Sequence, residues 1–190
     1  MGFLGMDPNR KYVRHDPDDW STRRSFPKAG EMPRTLATAA VALTMLRHAD
    51  RIKIGCATGG LGDLCKTNRE HVWKGASHYP FTQLIRYAKG VSLLPEVECE
   101  TYHVDGYVID DMNQYGGFDN VEYVRAAAAY SEEDGALNVF VINADWQEQQ
   151  TLTMDIRGFE GYTLKEYTTL SSDDPDAANS PENPNLLVPK

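Results

Sequence analysis

The chain has 190 residues, a formal net charge of −9 at neutral pH and three cysteines. This length allows a substantial core and corresponds to one or two domains. The acidic charge, with lysine and arginine scattered along the chain, argues against nucleic acid as a partner. An odd number of cysteines without framework spacing fits a reducing compartment and predicts a cytoplasmic protein. The longest apolar run, over residues 36–46, is too short to span a bilayer, so no membrane partner is expected.

A buried helix is predicted over residues 33–49, after a stretch rich in proline, aspartate and arginine that is typical of a long irregular connection. Pro33 suits the first helical turn, where its missing N–H is not needed. The residues that follow leave almost no polar face, which indicates a helix covered on most sides. Arg47 and His48 fall in the last turn, where the helix dipole favours cations.

A strand is predicted directly after this helix, because Ile52, Ile54 and Cys56 alternate with charged residues and glycine. A helix joined to a strand by two or three residues is half of a βαβ repeat, and a parallel sheet needs several neighbouring strands. No strand pattern of convincing length precedes Pro33. The other strands of this sheet are therefore expected outside the chain, as in a piece of a larger enzyme.

A glycine-rich polar loop over residues 58–79 leads to a second predicted helix over residues 80–88. Short strands separated by turns follow, and their pattern predicts an antiparallel β-sandwich. The hairpin at residues 130–136 is the clearest, because Gly135 supplies the positive φ that such loops require. The alanine run at residues 126–129 is ambiguous by propensity, and its place before this hairpin favours strand. The predicted strands cover residues 91–97, 102–108, 121–130, 136–143, 151–156 and 162–169.

Three segments carry a resemblance to a known family: LRHADRIKIGCA at residues 46–57, VWKGASHYPFTQLIRYAKGVSLLPEV at residues 72–97, and LNVFVINADWQEQQTLTMDIRGFEGYTLKEYTTLSSDD at residues 137–174. In order and spacing they resemble the C-terminal part of family 51 glycoside hydrolases, the intracellular-type α-L-arabinofuranosidases. The resemblance implies an α/β plus all-β fold. Residues 1–90 would be a C-terminal fragment of a (β/α)8 barrel, ending in its last helix–strand–helix, and residues 91–190 an antiparallel β-sandwich domain that lacks its last strand.

The same resemblance implies a retaining glycoside hydrolase that removes terminal arabinofuranosides from arabinose-containing oligosaccharides and forms a homo-oligomer. Such an enzyme needs two carboxyl groups about 5 to 5.5 Å apart on separate barrel strands. The two catalytic Glu residues of the family lie upstream. This chain is therefore assigned no catalytic residue, and its first partner would be the missing N-terminal part of the barrel. The triplet Asp18-Asp19-Trp20 resembles the context of the nucleophile but lies too close to the helix to be its equivalent.

Three residues of the loop over residues 58–79 are substrate-binding candidates, because loops that follow barrel strands face the active site. Gly59 occupies the position where the family has a Gln, three residues beyond the strand cysteine. This departure removes an amide that would hydrogen-bond the sugar. Trp73 can stack on a sugar face, and His78 can donate a hydrogen bond. In the alternative interpretation, both side chains simply pack the loop onto the barrel.

No cofactor and no metal is expected. The GGLG run at residues 59–62 lacks the spacing of a dinucleotide-binding motif or a P-loop, and the pair Lys66-Thr67 does not follow it directly. Cys56, Cys65 and His71 are too far apart for a zinc site and lack a fourth partner.

A second hypothesis is a stand-alone, noncatalytic β-sandwich module that binds carbohydrate or a partner protein. The helix–strand unit discriminates between the two hypotheses. Alone, its apolar helix would expose a patch larger than the few hundred Å² that soluble monomers tolerate. The enzyme-fragment hypothesis is therefore favoured, and the isolated chain is expected to self-associate through residues 33–49.

Overall fold

The computed structural model describes residues 31–56, 64–110 and 113–190. Within these residues two helices and nine short strands form, and every strand pair is antiparallel. In chain order they are α1 (Glu31–Arg47), β1 (Cys65–Thr67), β2 (Val72–Lys74), α2 (His78–Tyr87), β3 (Val91–Leu93), β4 (Thr101–Val104), β5 (Tyr107–Asp110), β6 (Asn113–Tyr115), β7 (Phe118–Glu122), β8 (Val124–Ser131) and β9 (Ala136–Asn143). Neither described helix is long and apolar enough to cross a membrane.

The largest sheet among the described residues has three strands in the order β3-β8-β9. Strands β8 and β9 form a hairpin that pairs Val124 with Asn143 at its open end and Ser131 with Ala136 at its turn. Gly135 has a φ of 58° in this turn, which confirms the predicted hairpin and the reason for its glycine. The alanine run lies within β8, so its assignment as strand is confirmed.

Helix α1 packs on this sheet through small residues. The alanines of β8 leave room for the helix backbone to approach closely, and Ala127 is fully buried. Aliphatic side chains of the two elements then interdigitate at the density that protein interiors require. The shared core consists of Ala39, Ala40, Leu43, Ala127 and Ile142.

Only part of the surface of α1 is buried, whereas its apolar pattern predicted cover on most sides. The side chain of Val41 is 43% exposed. The end of the helix is tied to the sheet, since Ser92 Oγ donates to the Leu46 carbonyl at 2.7 Å. Arg47 Nη1 likewise donates to the Ala126 carbonyl of β8 at 3.3 Å. The helix predicted over residues 33–49 is thus confirmed as an element and corrected in its burial.

The strand predicted over residues 52–56 is not formed, which corrects the interpretation of this stretch. Ile54 is 83% exposed, and Cys56 is also exposed. A strand is stable only when a neighbour pairs its backbone groups. The described part of the chain places no strand beside these residues.

The strands predicted over residues 151–156 and 162–169 are also not formed. Gly158 and Gly161, both with positive φ, lie between these two stretches. Their apolar side chains are largely exposed, with Leu164 at 79%. The antiparallel character of the second half is confirmed. Across its described strands, however, this half takes the form of three small sheets, β3-β8-β9, β4-β7 and β5-β6, rather than the two packed sheets of a complete sandwich.

Boundaries shift elsewhere. The second helix is confirmed and begins at His78, two residues earlier than predicted. Strand β3 ends at Leu93, short of Pro95, which cannot donate to a ladder. The strand predicted over residues 102–108 is divided between β4 and β5. Strands β1 and β2 lie inside the stretch predicted as loop, where they pair as a short hairpin.

The last residues of the chain return to the start of α1. Thr169 and Lys190 exchange both of their backbone hydrogen bonds at 2.9 Å. Between them the chain has irregular structure and encloses a second core, formed by Met32, Ala76 and Leu187. We call residues 170–190 the return segment. It joins the N-terminus of α1 to the β1–β2 hairpin.

Candidate functional site

Two of the three predicted substrate-binding residues lie in the described part of the chain, and Gly59 lies outside it. Trp73 is in the middle of β2, opposite Lys66 of β1. The turn between these strands is held by Asn68, whose Oδ1 accepts the N–H groups of Glu70 at 2.9 Å and His71 at 2.7 Å. The hairpin is therefore an ordered platform for Trp73 rather than an irregular loop.

The indole of Trp73 is half-buried and has its polar edge occupied. Its Nε1–H donates to the backbone carbonyl of Asn179 in the return segment at 2.9 Å. This bond fixes the orientation of the ring, because the indole has a single donor and no acceptor. The Trp73 residue as a whole remains partly exposed.

His78 is the first residue of α2 and is also half-buried. Its ring meets that of Tyr79 edge to face, with centroids 5.6 Å apart. Burial lowers the pKa of the His78 imidazole, and the nearby charge of Lys74 lowers it further. The neutral ring therefore dominates at pH 7. It has one donor and one acceptor nitrogen, which suits it to bind a hydroxyl group.

We expect His78 to titrate below its ordinary value of 6.5 in an NMR pH titration of the full chain. Lys74→Met should raise its pKa toward 6.5 without reaching it, since burial persists. Lys89→Met, beyond the end of α2, is the matched control and should leave the titration unchanged. Because the unfolded state binds more protons between the lowered pKa and 6.5, the stability contribution of His78 rises with pH across that window. A His78 pKa above 6.5 would contradict this assignment.

A buried acidic group binds the backbone at Ala76, between Trp73 and His78, and the sequence did not predict it. Glu31, the first residue of α1, is 3% exposed. Its Oε1 pairs with Lys66 Nζ, and its Oε2 accepts the N–H groups of Ala76 and Asn179, each at 3.1 Å. A carboxylate is favoured at this place by the dipole of α1. Its sequence signal was an acidic residue two positions before the predicted helix start at Pro33.

Asn179 completes the cluster from the return segment, where it is also 3% exposed. Its Nδ2 donates to the carbonyls of Lys74 and Leu187 at 3.0 Å, and its Oδ1 accepts the Leu187 N–H at 2.7 Å. Both functional ends of the amide are therefore used. The irregular return segment thereby gains the backbone pairing that a strand would have received from a neighbour.

We call Glu31, Lys66, Trp73 and Asn179 the latch cluster, because together they join three distant parts of the chain. Burial lowers the pKa of the Lys66 amine. The carboxylate of Glu31 accepts hydrogen bonds from three donors, so its role in this cluster is structural. Across residues 31–56, 64–110 and 113–190, no group of three or more His, Cys, Asp or Glu side chains is placed to hold a metal.

Comparison with known proteins gives a consistent result. A family model of the alpha-L-arabinofuranosidase C-terminal domain matches residues 18–190. The chain is 30% identical over 155 residues to intracellular exo-alpha-(1->5)-L-arabinofuranosidase 1 of Bacillus subtilis. The aligned region covers 80% of this chain and 29% of that protein. It is 29% identical over 147 residues to the intracellular exo-alpha-(1->5)-L-arabinofuranosidase of Halalkalibacterium halodurans, covering 76% of this chain and 27% of that protein.

Solved structures support the fold. The chain superposes on the GH51 alpha-L-arabinofuranosidase of Thermotoga petrophila with a TM-score of 0.70 at 19% identity, covering 86% of this chain and 34% of that structure. The arabinose complex of the Thermotoga maritima alpha-L-arabinofuranosidase gives a TM-score of 0.69 at 20% identity, with the same coverage. The chain spans less than a third of the length of the curated relatives it matches. Because the family match extends from residue 18 to the last residue, the chain belongs to the family of α-L-arabinofuranosidase C-terminal domains.

Proposed function

We propose that this chain is the C-terminal part of a retaining glycoside hydrolase that acts on arabinose-containing oligosaccharides. The observation that carries the proposal is the family match over residues 18–190 by a chain that spans 29% of its Bacillus subtilis relative. In this proposal the two catalytic Glu residues belong to a preceding part of the barrel. Residues 1–90 supply the last barrel unit, and residues 91–190 form the sandwich domain.

The exposed apolar residues after α1 support the barrel part of the proposal. Ile52 and Ile54 alternate with Arg51 and Lys53, yet Ile54 is 83% exposed. A preceding barrel strand would pair this backbone and bury these side chains. Exposed apolar surface of this kind marks a contact with another element or chain.

Trp73 and His78 are the proposed substrate contacts, with Gly59 as the third residue of the set. Trp73 would stack its partly exposed ring on a sugar face while Asn179 holds its N–H. His78, kept neutral by burial, would hydrogen-bond a hydroxyl group. We propose a cytoplasmic location for the whole protein, as for the relatives named intracellular. A homo-oligomer is proposed on the family resemblance alone.

A second candidate function is a stand-alone module that binds carbohydrate or a partner protein without catalysis. The observation that favours it is the packing of α1 on β8 and β9 of its own chain. This contact buries one face of the helix without any preceding barrel.

The intact mass of the natural gene product in its source cells separates the two candidates. A species far larger than 21.3 kDa, with arabinofuranosidase activity, supports the enzyme. A species of that mass supports the stand-alone module. The isolated chain should hydrolyse no aryl arabinofuranoside in either case. Turnover by the isolated chain that is abolished by changing Asp19 would overturn the upstream placement of the nucleophile.

In the natural gene product, Trp73→Ala should lower kcat/KM on arabinose-containing oligosaccharides by about tenfold. This corresponds to about 1.4 kcal/mol of lost transition-state binding. The loss should appear mainly in KM, because stacking serves ground and transition states alike. Trp146→Ala is the matched control, since that tryptophan is 48% exposed on a different loop. Equal effects of the two substitutions would show that Trp73 is not a substrate contact.

A further inference from the structure

The return segment contacts the β1–β2 hairpin at two consecutive residues. The backbone carbonyl of Asn179 accepts the indole N–H of Trp73, and its side-chain amide donates to the carbonyl of Lys74. These groups are more than 100 residues apart in sequence. A single residue of the return segment therefore fixes both the side chain of Trp73 and the backbone next to it.

Asn179 is itself held from two further sides. Its N–H donates to the buried carboxylate of Glu31, and its side chain exchanges two hydrogen bonds with the backbone of Leu187. Leu187 is buried against Met32 and Ala76, so the segment is anchored in the second core. No buried side-chain polar atom in the described residues lacks a partner. Asparagine fits this place because it offers donor and acceptor on one short side chain.

We infer that Asn179 is a positioning residue for the substrate loop, and that the return segment forms part of the wall of the sugar-binding region. Asn179 touches no reacting group. It sets the tilt of the Trp73 ring, and the ring contacts the sugar. The consequence for sugar binding rests on the proposed function, whereas the effect of Asn179 on the Trp73 ring does not.

The first test measures the ring directly. In the ¹⁵N-labelled full chain, the Trp73 indole N–H signal is identified by its loss in Trp73→Phe. Asn179→Ala keeps the backbone carbonyl that accepts the indole N–H, but it removes the side-chain bonds to Lys74 and Leu187 that hold this carbonyl in place. It should therefore shift the Trp73 signal and raise its exchange rate with water at least tenfold. Asn183→Ala is the matched control in the same segment, because the side chain of Asn183 is exposed, and it should leave the signal unchanged. An unshifted, equally protected signal in folded Asn179→Ala would overturn the inference.

Two further variants separate positioning from general stability. Leu187→Ala lowers the stability of the return segment while leaving the amide of Asn179 in place, so its native state should keep the Trp73 signal. An equal shift of the Trp73 signal in Asn179→Ala and Leu187→Ala would show that Asn179 acts only through the stability of the return segment. If Asn179→Ala fails to fold, Asn179→Ser replaces it, since a serine hydroxyl is uncharged and too short to reach the carbonyls of both Lys74 and Leu187.

The second test is kinetic and uses the natural gene product. Asn179→Ala should raise KM for an arabinose-containing oligosaccharide about tenfold and leave kcat within about twofold, because the ring binds substrate in both ground and transition states. A loss confined to kcat would contradict the inference. If the natural gene product has no arabinofuranosidase activity, the proposed function fails. The NMR result still decides whether Asn179 positions the Trp73 ring.

Discussion

Glu31→Ala is expected to lower the free energy of unfolding of the full chain by about 3 to 5 kcal/mol, the range for breaking a buried ion pair. Removal of the carboxylate leaves Lys66, whose side chain is 20% exposed, without its counter-charge. The N–H groups of Ala76 and Asn179 lose their acceptor at the same time. Urea unfolding followed by circular dichroism measures the change, provided that the slope of the transition stays constant.

The double variant Glu31→Ala, Lys66→Met should recover a large part of this loss, because it removes the stranded charge and keeps the apolar stem of the lysine. Glu133→Ala, in the exposed turn between β8 and β9, is the matched control and should change stability by less than about 0.5 kcal/mol. A loss below about 1 kcal/mol for Glu31→Ala would mean that the latch cluster does not hold the return segment.

The elements that follow local rules could be predicted from the sequence. Both helices have apolar residues at helical spacing, and the β8–β9 hairpin has a glycine where a positive φ is required. The alanine run shows the limit of propensity, since its hairpin position, rather than its composition, indicated a strand. Local patterns predict an element well when the chain itself supplies the neighbour that stabilises it.

The predicted strands that failed share one physical cause. Residues 52–56, 151–156 and 162–169 have alternating apolar residues, but the described residues provide no partner strand for them. Alternation describes which faces a strand would bury, whereas formation depends on backbone pairing from elsewhere. The three strand predictions were therefore wrong, because the sequence pattern carries no information on the tertiary partner.

The latch cluster could not be predicted because its members are far apart in sequence. Glu31 and Asn179 are separated by 148 positions, and neither belongs to a motif with characteristic spacing. Buried charged and amide groups are recognised only when their partners are known. Trp73 and His78 were predicted as substrate contacts from family resemblance and side-chain chemistry, and this stays a prediction. The hydrogen bond from Trp73 to Asn179 is seen only in the structure.

Gly90→Ala is expected to destabilise the chain by about 2 to 5 kcal/mol, the sum of a left-handed backbone cost and an overpacking cost. Gly90 links α2 to β3 with a φ of 81°. A Cβ at this position would lie 2.2 Å from the Tyr130 carbonyl oxygen and 3.0 Å from the Ser131 Cα. Both are backbone atoms of β8, so the clash is relieved only if β3 moves away from β8, its neighbour in the sheet on which α1 packs.

Gly135→Ala separates the two costs, because Gly135 also has a positive φ, of 58°, but has no atom within 4 Å of the added Cβ. Its free energy of unfolding should fall only by the cost of the left-handed backbone, about 1 to 2 kcal/mol. Thermal and urea unfolding of the two variants, measured side by side, give the difference that belongs to the β3–β8 contact. Equal losses would show that β3 can shift freely. In that case the close pairing of Val91 with Tyr130 would contribute little to the sheet on which α1 rests.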